Sequence, residues 1–259
     1  MSQRASALLC ALLAALVALL IWLPARWVTP FVKDASRGGV SLVGVNGTIW
    51  SGSGWIEIAP AAGVGQAPLV LPERLSWDVD AAPLLTARVQ GRVRFGDRPW
   101  SPLAANVNGF TLAPGATAMD ARELVAAGAP LNSMQPGGWL DVRWDELRGA
   151  RDGRAMTVNG QIQALWTGAT TRLSGAEPLG DYALEVRLTG QGPAQSAQLQ
   201  LNTRNGRLQI NGQGQFTAGA RPQFRLVSTA SESERERLAA VLNLLGRRQN
   251  NEYVLSLGS

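Results

Sequence analysis

Alternation of apolar and polar residues with a period of two recurs along most of this chain and constrains its fold more tightly than any other feature. It runs through Val43–Ile49, Trp55–Ile58, Leu75–Val79, Leu85–Phe95, Leu140–Trp144 and Met156–Ile162. It returns in Tyr182–Leu188, Ala197–Leu201, Leu208–Ile210 and Phe224–Val227. Successive side chains of a strand point to opposite faces, so each stretch sets apolar groups on one side and Arg, Gln, Asn, Thr or Glu on the other. That pattern belongs to an antiparallel sheet with one buried and one solvated face.

Glycine adds a second constraint, with 29 residues in 259 and no Gly-X-Y period. Val45–Ile49, Val89–Val93, Val158–Ile162 and Ile210–Gly214 share an apolar residue, a polar one, Gly and another polar one. Such glycines mark bends, bulges or close approaches, and repeated on successive strands they let a sheet curl into a trough or partly open barrel. The Asn-Gly pairs also fit two-residue hairpin turns. Segments rich in Ala, Gly and Pro (60–72, 113–118 and 191–195) read as loops. Two segments read as helices. Asp120 and Glu123 are spaced as a capping box before a short one ending near Gly128. Ser231 and Glu234 open a better one, with Leu238, Val241, Leu242 and Leu245 on one face and Gly246 as its stop. The expected fold is mainly β: a strongly curved antiparallel sheet with one or two short helices packed on it.

Ahead of this body, residues 5–23 are uncharged and almost continuously apolar. About 19 residues at roughly 1.5 Å each match the hydrocarbon thickness of a bilayer. Leu8, Leu9, Leu12, Leu13, Leu16, Val17, Leu19, Leu20, Ile21 and Trp22 form the expected membrane anchor. Arg4 lies before it, and Trp22 with Trp27 marks the other interface. The core is long for a signal peptide, and Leu23-Pro24 is poor cleavage chemistry. The expected organisation is a cytoplasmic N-terminus at 1–4, a single transmembrane helix at 5–23, a tether at 24–36 and a periplasmic β-rich domain at 37–259. Pro24 and Pro30 are expected to end the helix.

Residue chemistry narrows function by exclusion. The chain has no histidine and a single cysteine, Cys10, inside the apolar segment. A Ser-His triad, an imidazole ligand, thiol catalysis and a thiolate zinc site are therefore ruled out. Lys33 is the sole lysine, and no serine sits in a nucleophile setting. The pairs Asp78/Asp80 and Asp145/Glu146 read as solvated strand or turn residues. Gly47–Gly54 and Gly206–Gly214 lack the lysine and helix of a phosphate loop. The net charge of +5 is spread singly along strands, without the dense basic stripe that nucleic acid demands. The tryptophans Trp50, Trp55, Trp77, Trp139, Trp144 and Trp166 serve as core filling or as partner-docking aromatics. No catalytic, cofactor-binding or metal-binding residue is expected.

Three motifs in order carry a resemblance. These are Leu23-Pro24-Ala-Arg-Trp27-Val, then Gly44-Val-Asn-Gly47-Thr48-Ile-Trp50-Ser-Gly52, then Leu75-Ser-Trp77 running on to Leu84-Leu85. Pro178-Leu-Gly180-Asp-Tyr182 and the terminal Leu-rich helix and strand follow in the same order. Together they resemble the type II secretion system protein N family, with Val79 and Ala87 departing from its pattern. The resemblance implies a non-enzymatic inner-membrane accessory component of the apparatus that exports folded proteins across the outer membrane. It implies partners among the other secretion components, in the inner membrane and periplasm, and no cofactor. The family is distantly similar to AsmA-type proteins, which implies the alternative of a lipid-binding groove with phospholipid as its ligand. Whether the apolar strand face is covered by Leu238, Val241, Leu242 and Leu245 or left open separates scaffold from lipid groove.

Overall fold

A computed structural model describes residues 22–36, 38–59, 68–81, 86–127, 131–153, 155–174, 177–192 and 194–258. Seventeen strands join into one antiparallel sheet that does not close. They are β1 (Val40–Gly47), β2 (Ser51–Ile58), β3 (Leu69–Val70), β4 (Leu75–Asp80), β5 (Arg88–Phe95), β6 (Ser101–Asn106), β7 (Gly109–Leu112) and β8 (Gly115–Asp120). Then come β9 (Pro136–Trp144), β10 (Leu147–Asp152), β11 (Ala155–Thr171), β12 (Gly180–Gln191), β13 (Ala194–Gly206), β14 (Leu208–Thr217), β15 (Gln223–Ala230), β16 (Arg247–Gln249) and β17 (Glu252–Leu257).

Pairing follows the chain. Strand β1 lies on β2, which carries β3 and β4 along one edge; β4, β5, β6 and β7 succeed one another. At the other end β11, β12, β13, β14 and β15 run in order, then β17 with β16 outside it. The two halves meet where β7 and β8 lie end to end against β10 and β9, and both of these lie against the 17-residue β11. The register slips by one residue beside Gly160, where Asp145 N–H donates to the Gln161 carbonyl at 3.0 Å. A Cβ on Gly160 would lie 2.5 Å from Leu147 Cδ2, so the bulge needs a glycine there. Beyond it β11 parts from β12, and the Gln195 amide fills the gap, accepting from Val158 N–H at 2.6 Å and donating to Val158 C=O at 3.0 Å.

The repeated polar-Gly pairs are thus resolved. Gly91, Gly160 and Gly212 sit inside strands, as bending positions would; Asn46-Gly47 closes β1 before a turn. A two-residue hairpin does occur at Val107-Asn108, where Asn106 Oδ1 accepts from the N–H groups of Asn108 and Gly109. That one was not singled out from sequence.

Helices differ from expectation. The segment 24–36, expected as a tether, forms a 3-10 turn (Ala25–Trp27) and helix α1 (Val28–Ala35). Pro30 falls in its first turn, where no intrahelical N–H is needed. The expected helix after Asp120 is a 3-10 segment (Ala121–Ala127), with Asp120 Oδ1 accepting from Arg122 N–H; helix α2 (Leu131–Met134) follows. The expected single helix from Ser231 is broken into α3 (Glu232–Arg235) and α4 (Ala239–Leu245). Ser174 donates to the Arg237 carbonyl at 3.1 Å, in the gap between the two helices. The capping box does not form: Ser231 Oγ meets Ser233 Oγ, and Glu234 turns to Arg207 and Arg237.

Two small cores sit under these helices. Val28 and Val32 of α1 pack over Leu42, Ile56, Leu75 and Trp77. Leu238, Val241, Leu242 and Leu245 pack over Tyr182, Leu208, Ile210, Leu226 and Tyr253. Leu242 is fully buried, so Leu242→Ala should cost about 2–5 kcal/mol through lost contacts and a cavity. The measurement is the urea midpoint of the purified protein, and a shift near zero would mean that α4 is not part of the cooperative core.

Candidate functional site

The sheet offers two faces. On the inner one a device repeats: an aromatic ring lies flat on a glycine of the adjacent strand. Trp77 covers Gly52, Trp144 covers Gly115, Phe110 covers Gly149 and Phe224 covers Gly214, each pair being direct cross-strand partners. Trp55 covers Gly44. An added Cβ on any of these glycines would come within 3.0 Å of the ring. Such cover restores the contact area that a glycine strand lacks. The indole N–H groups reach carbonyls: Trp77 to Thr48 at 3.3 Å, Trp144 to Ala113 at 3.1 Å and Trp166 to Gly137 at 3.0 Å. This meets the donor requirement of a half-buried indole. Trp139 instead stands half exposed on the outer face.

The motif residues fall into place around these contacts. Gly47 has φ +93°, and a Cβ there would lie 2.5 Å from the Ser51 carbonyl, its hairpin neighbour. Thr48 Oγ1 accepts from Ser51 N–H at 3.1 Å, closing the same turn, while Trp50 C=O accepts from Val79 N–H. Pro24 forms an isolated bridge to Thr48, and Leu23 C=O accepts from Ile49 N–H at 3.0 Å. The first two motifs therefore meet at one corner, with Trp77 of the third lying over Gly52. Trp22, Trp27 and Phe31 all point to solvent there. The expected anchor residues Leu8 to Ile21, and the motif residues Leu84 and Leu85, lie outside the described residues. Among the described residues no helix is long and apolar enough to cross a membrane.

Gly180 faces Gly206 so closely that a Cβ on either would fall within 2.5 Å of the opposite backbone. That approach seats Tyr182 under α4, where its hydroxyl donates to the Leu208 carbonyl at 2.9 Å and its ring lies 5.9 Å from Trp166. Burial, with the adjacent Asp181 charge, pushes the phenol well above its ordinary range.

Cover by helix is local. Tyr182 and Tyr253 are buried beneath α4, and Leu226 of the next row is still buried. One row further, Trp144, Ile162, Val186, Leu199 and Phe224 are only half-buried, and Leu257 at its end is exposed. Beyond these a stripe runs through cross-strand partners Val79, Gly91, Leu103, Leu112 and Leu147, and resumes past Gly160 as Leu188, Ala197 and Phe216. All are partly exposed, Phe216 by 39%. Among the described residues, the apolar face is plugged at both ends and open between them.

In each carboxylate pair considered for acid–base work, one member is engaged by an arginine. Asp78 pairs with Arg92 at 3.0 Å, and Glu146 pairs with Arg148. Glu73, which sequence reasoning passed over, accepts from Ala118 N–H at 3.0 Å and from the Thr117 hydroxyl, capping the free edge of β8. Arg98 ties it across to Asp141, at 3.4 and 3.5 Å respectively. A lone acidic residue before an alternating stretch carries no pattern that would reveal this.

A family model for type II secretion system protein N matches residues 38–256. No curated protein and no solved structure gives a match.

Tyr182→Phe should destabilise the protein by about 1–2 kcal/mol by leaving the buried Leu208 carbonyl without its donor. The phenol is favoured neutral in the folded state, so its stabilisation is complete below its ordinary value of about 10 and lost as pH rises above it. Urea unfolding at pH 8 and pH 11 checks both statements: this part of the alkaline loss should vanish in the variant.

Proposed function

We propose that this chain, which belongs to the type II secretion system protein N family, acts as a non-enzymatic, single-pass inner-membrane component that meets its partners in the periplasm. The family match across almost the whole β-rich body carries the reading. Three exposed aromatics, Trp22, Trp27 and Phe31, where the apolar segment enters the fold support anchoring, because indoles favour the headgroup layer. With the N-terminus cytoplasmic, the sheet stands on the outer side of that membrane.

Partner contact has a physical basis in the open sheet. The outer edge of β17 beyond β16 presents Leu255 and Leu257, 37% and 52% exposed, beside backbone groups that an added strand can pair. At the opposite edge β1 is blunted, since Ser36 Oγ takes both backbone groups of Val40 and Asn46 Nδ2 donates to Gly44 C=O. Strand addition is therefore favoured at the C-terminal edge.

The half-open apolar stripe from Val79 to Phe216 favours a second reading, a groove for phospholipid acyl chains. It crosses nine strands, about 38 Å at roughly 4.8 Å per strand, ample for an acyl chain.

Envelope fractionation tests the first reading. The chain should leave inner membranes only with detergent, and a cysteine at Leu257→Cys should crosslink to secretion-apparatus components. A soluble mature form beginning near Ala25, or unimpaired export of folded proteins in its absence, would refute it. Phospholipid that co-purifies and is lost in Leu103→Gln/Leu188→Gln would favour the groove.

A further inference from the structure

The outer face of the C-terminal half is neither flat nor charged in the usual way. It dishes inward across β12 to β17 into a depression of about 860 Å³. A second hollow of about 600 Å³ over β9, β11, β12 and β13 continues it, sharing Glu185 and Gln200. Two rails of carboxamides run across the strands on its floor. Gln163, Gln200 and Gln213 belong to one cross-strand row, interrupted by Glu185, and Gln198, Gln215 and Gln223 are consecutive partners in the next. The rows are two residues apart, about 7 Å at roughly 3.4 Å per residue.

None of these six side-chain amides bonds to the protein among the described residues. Elsewhere in the sheet the amides of Gln195 and Gln209 are engaged with backbone, and on the outer face of β4 and β5 Asp78 pairs with Arg92 while Arg92 and Arg94 stack on Trp100. The charges lining the two hollows, four arginines against three carboxylates, nearly cancel. A polyanion or phosphate is thus not the complement. A carboxamide presents a donor and an acceptor side by side, the complement of a vicinal diol or an acetamido group. The second rail repeats at the strand spacing of about 4.8 Å, close to one sugar of an extended β-linked glycan, and the first keeps that step between Gln200 and Gln213. At the β9 end, Trp139 and Leu165 stand exposed on the same face as Gln163, with Trp139 the cross-strand partner of Thr167. An exposed indole gives a pyranose an apolar platform.

We propose that this dished polar face binds an extended β-linked glycan laid obliquely across the strands, held between the two carboxamide rails on β13 and β14 and running through the second hollow, past Leu165 and Thr167, to stack on Trp139 of β9. The rails lie on the face opposite the apolar stripe, and although the depression reaches Val254, Ser256 and Leu257 of β17, no rail residue belongs to that edge, so the rail variants test this site independently of the membrane and secretion roles.

The test uses the full chain, solubilised in a detergent without a sugar headgroup. It is mixed with insoluble chitin, cellulose or purified peptidoglycan, and the bound fraction is read after sedimentation. The protein should be retained by at least one of the three. Retention by chitin and peptidoglycan alone would assign the rails to acetamido groups; retention by cellulose as well would assign them to ring hydroxyls. Gln200→Ala/Gln213→Ala, and separately Trp139→Ala, should weaken retention roughly five- to thirty-fold, as expected for losing one or two ligand contacts. Their thermal melting should stay unchanged. Gln90→Ala, exposed on β5 away from the hollow, should bind like the parent. Absence of retention on all three polymers, or retention that the rail and Trp139 variants leave intact, would overturn the proposal.

Discussion

A ring laid on a glycine is the contact on which this sheet depends. A single open layer has no opposing sheet to cover its apolar side, and helices reach only its two ends. Trp77 on Gly52, Trp144 on Gly115, Phe110 on Gly149 and Phe224 on Gly214 supply cover from within the layer. The ring replaces the side chain its partner lacks, and the missing Cβ is what lets the ring lie down. Both members are needed, so glycines that would weaken an ordinary strand stabilise this one as half of a pair.

Continuity of the layer rests on β11. Its N-terminal end pairs with β10 and the rest with β9 and β12, with the change made at Gly160. Gln195 repairs the backbone pairing lost there, and Glu73 with Arg98 ties the neighbouring edge of β8 to β9. Each is a polar side chain satisfying strand groups that would otherwise be left unpaired at a seam. The halves therefore stay in one sheet while turning their faces differently.

This arrangement leaves the molecule with separate surfaces of different chemistry. The exposed aromatics around Trp27 suit an interface with lipid headgroups, the Leu255–Leu257 edge suits an added strand, and the stripe from Val79 to Phe216 suits apolar chains. The carboxamide face suits a neutral polar polymer. Asp78 and Glu146 each pair with an arginine within the sheet. An accessory role in secretion, in keeping with the family, needs surfaces of this sort.

Period-two alternation sufficed to foresee β1, β2, β4, β5, β9 and β11 to β15, because side-chain direction in a strand is a local property. It did not mark β3, β6, β7, β10 or β16, and the segment 113–118, read as a loop, holds most of β8. The polar-Gly repeats left mid-strand and turn positions open, and the ordered motifs announced the family. What local pattern could not hold was everything that depends on which strand lies beside which. Trp77 and Gly52 are far apart in the chain, so their contact exists only once β2 and β4 pair. The break in the terminal helix coincides with Ser174 donating to the Arg237 carbonyl, a contact across 63 residues that no capping rule contains. That Leu238, Val241, Leu242 and Leu245 bury one end of the apolar face, and that glutamines on separate strands align over a hollow, were decided by how the strands pair in the assembled sheet. Register and bulges arise between strands, and so belong to none of them alone.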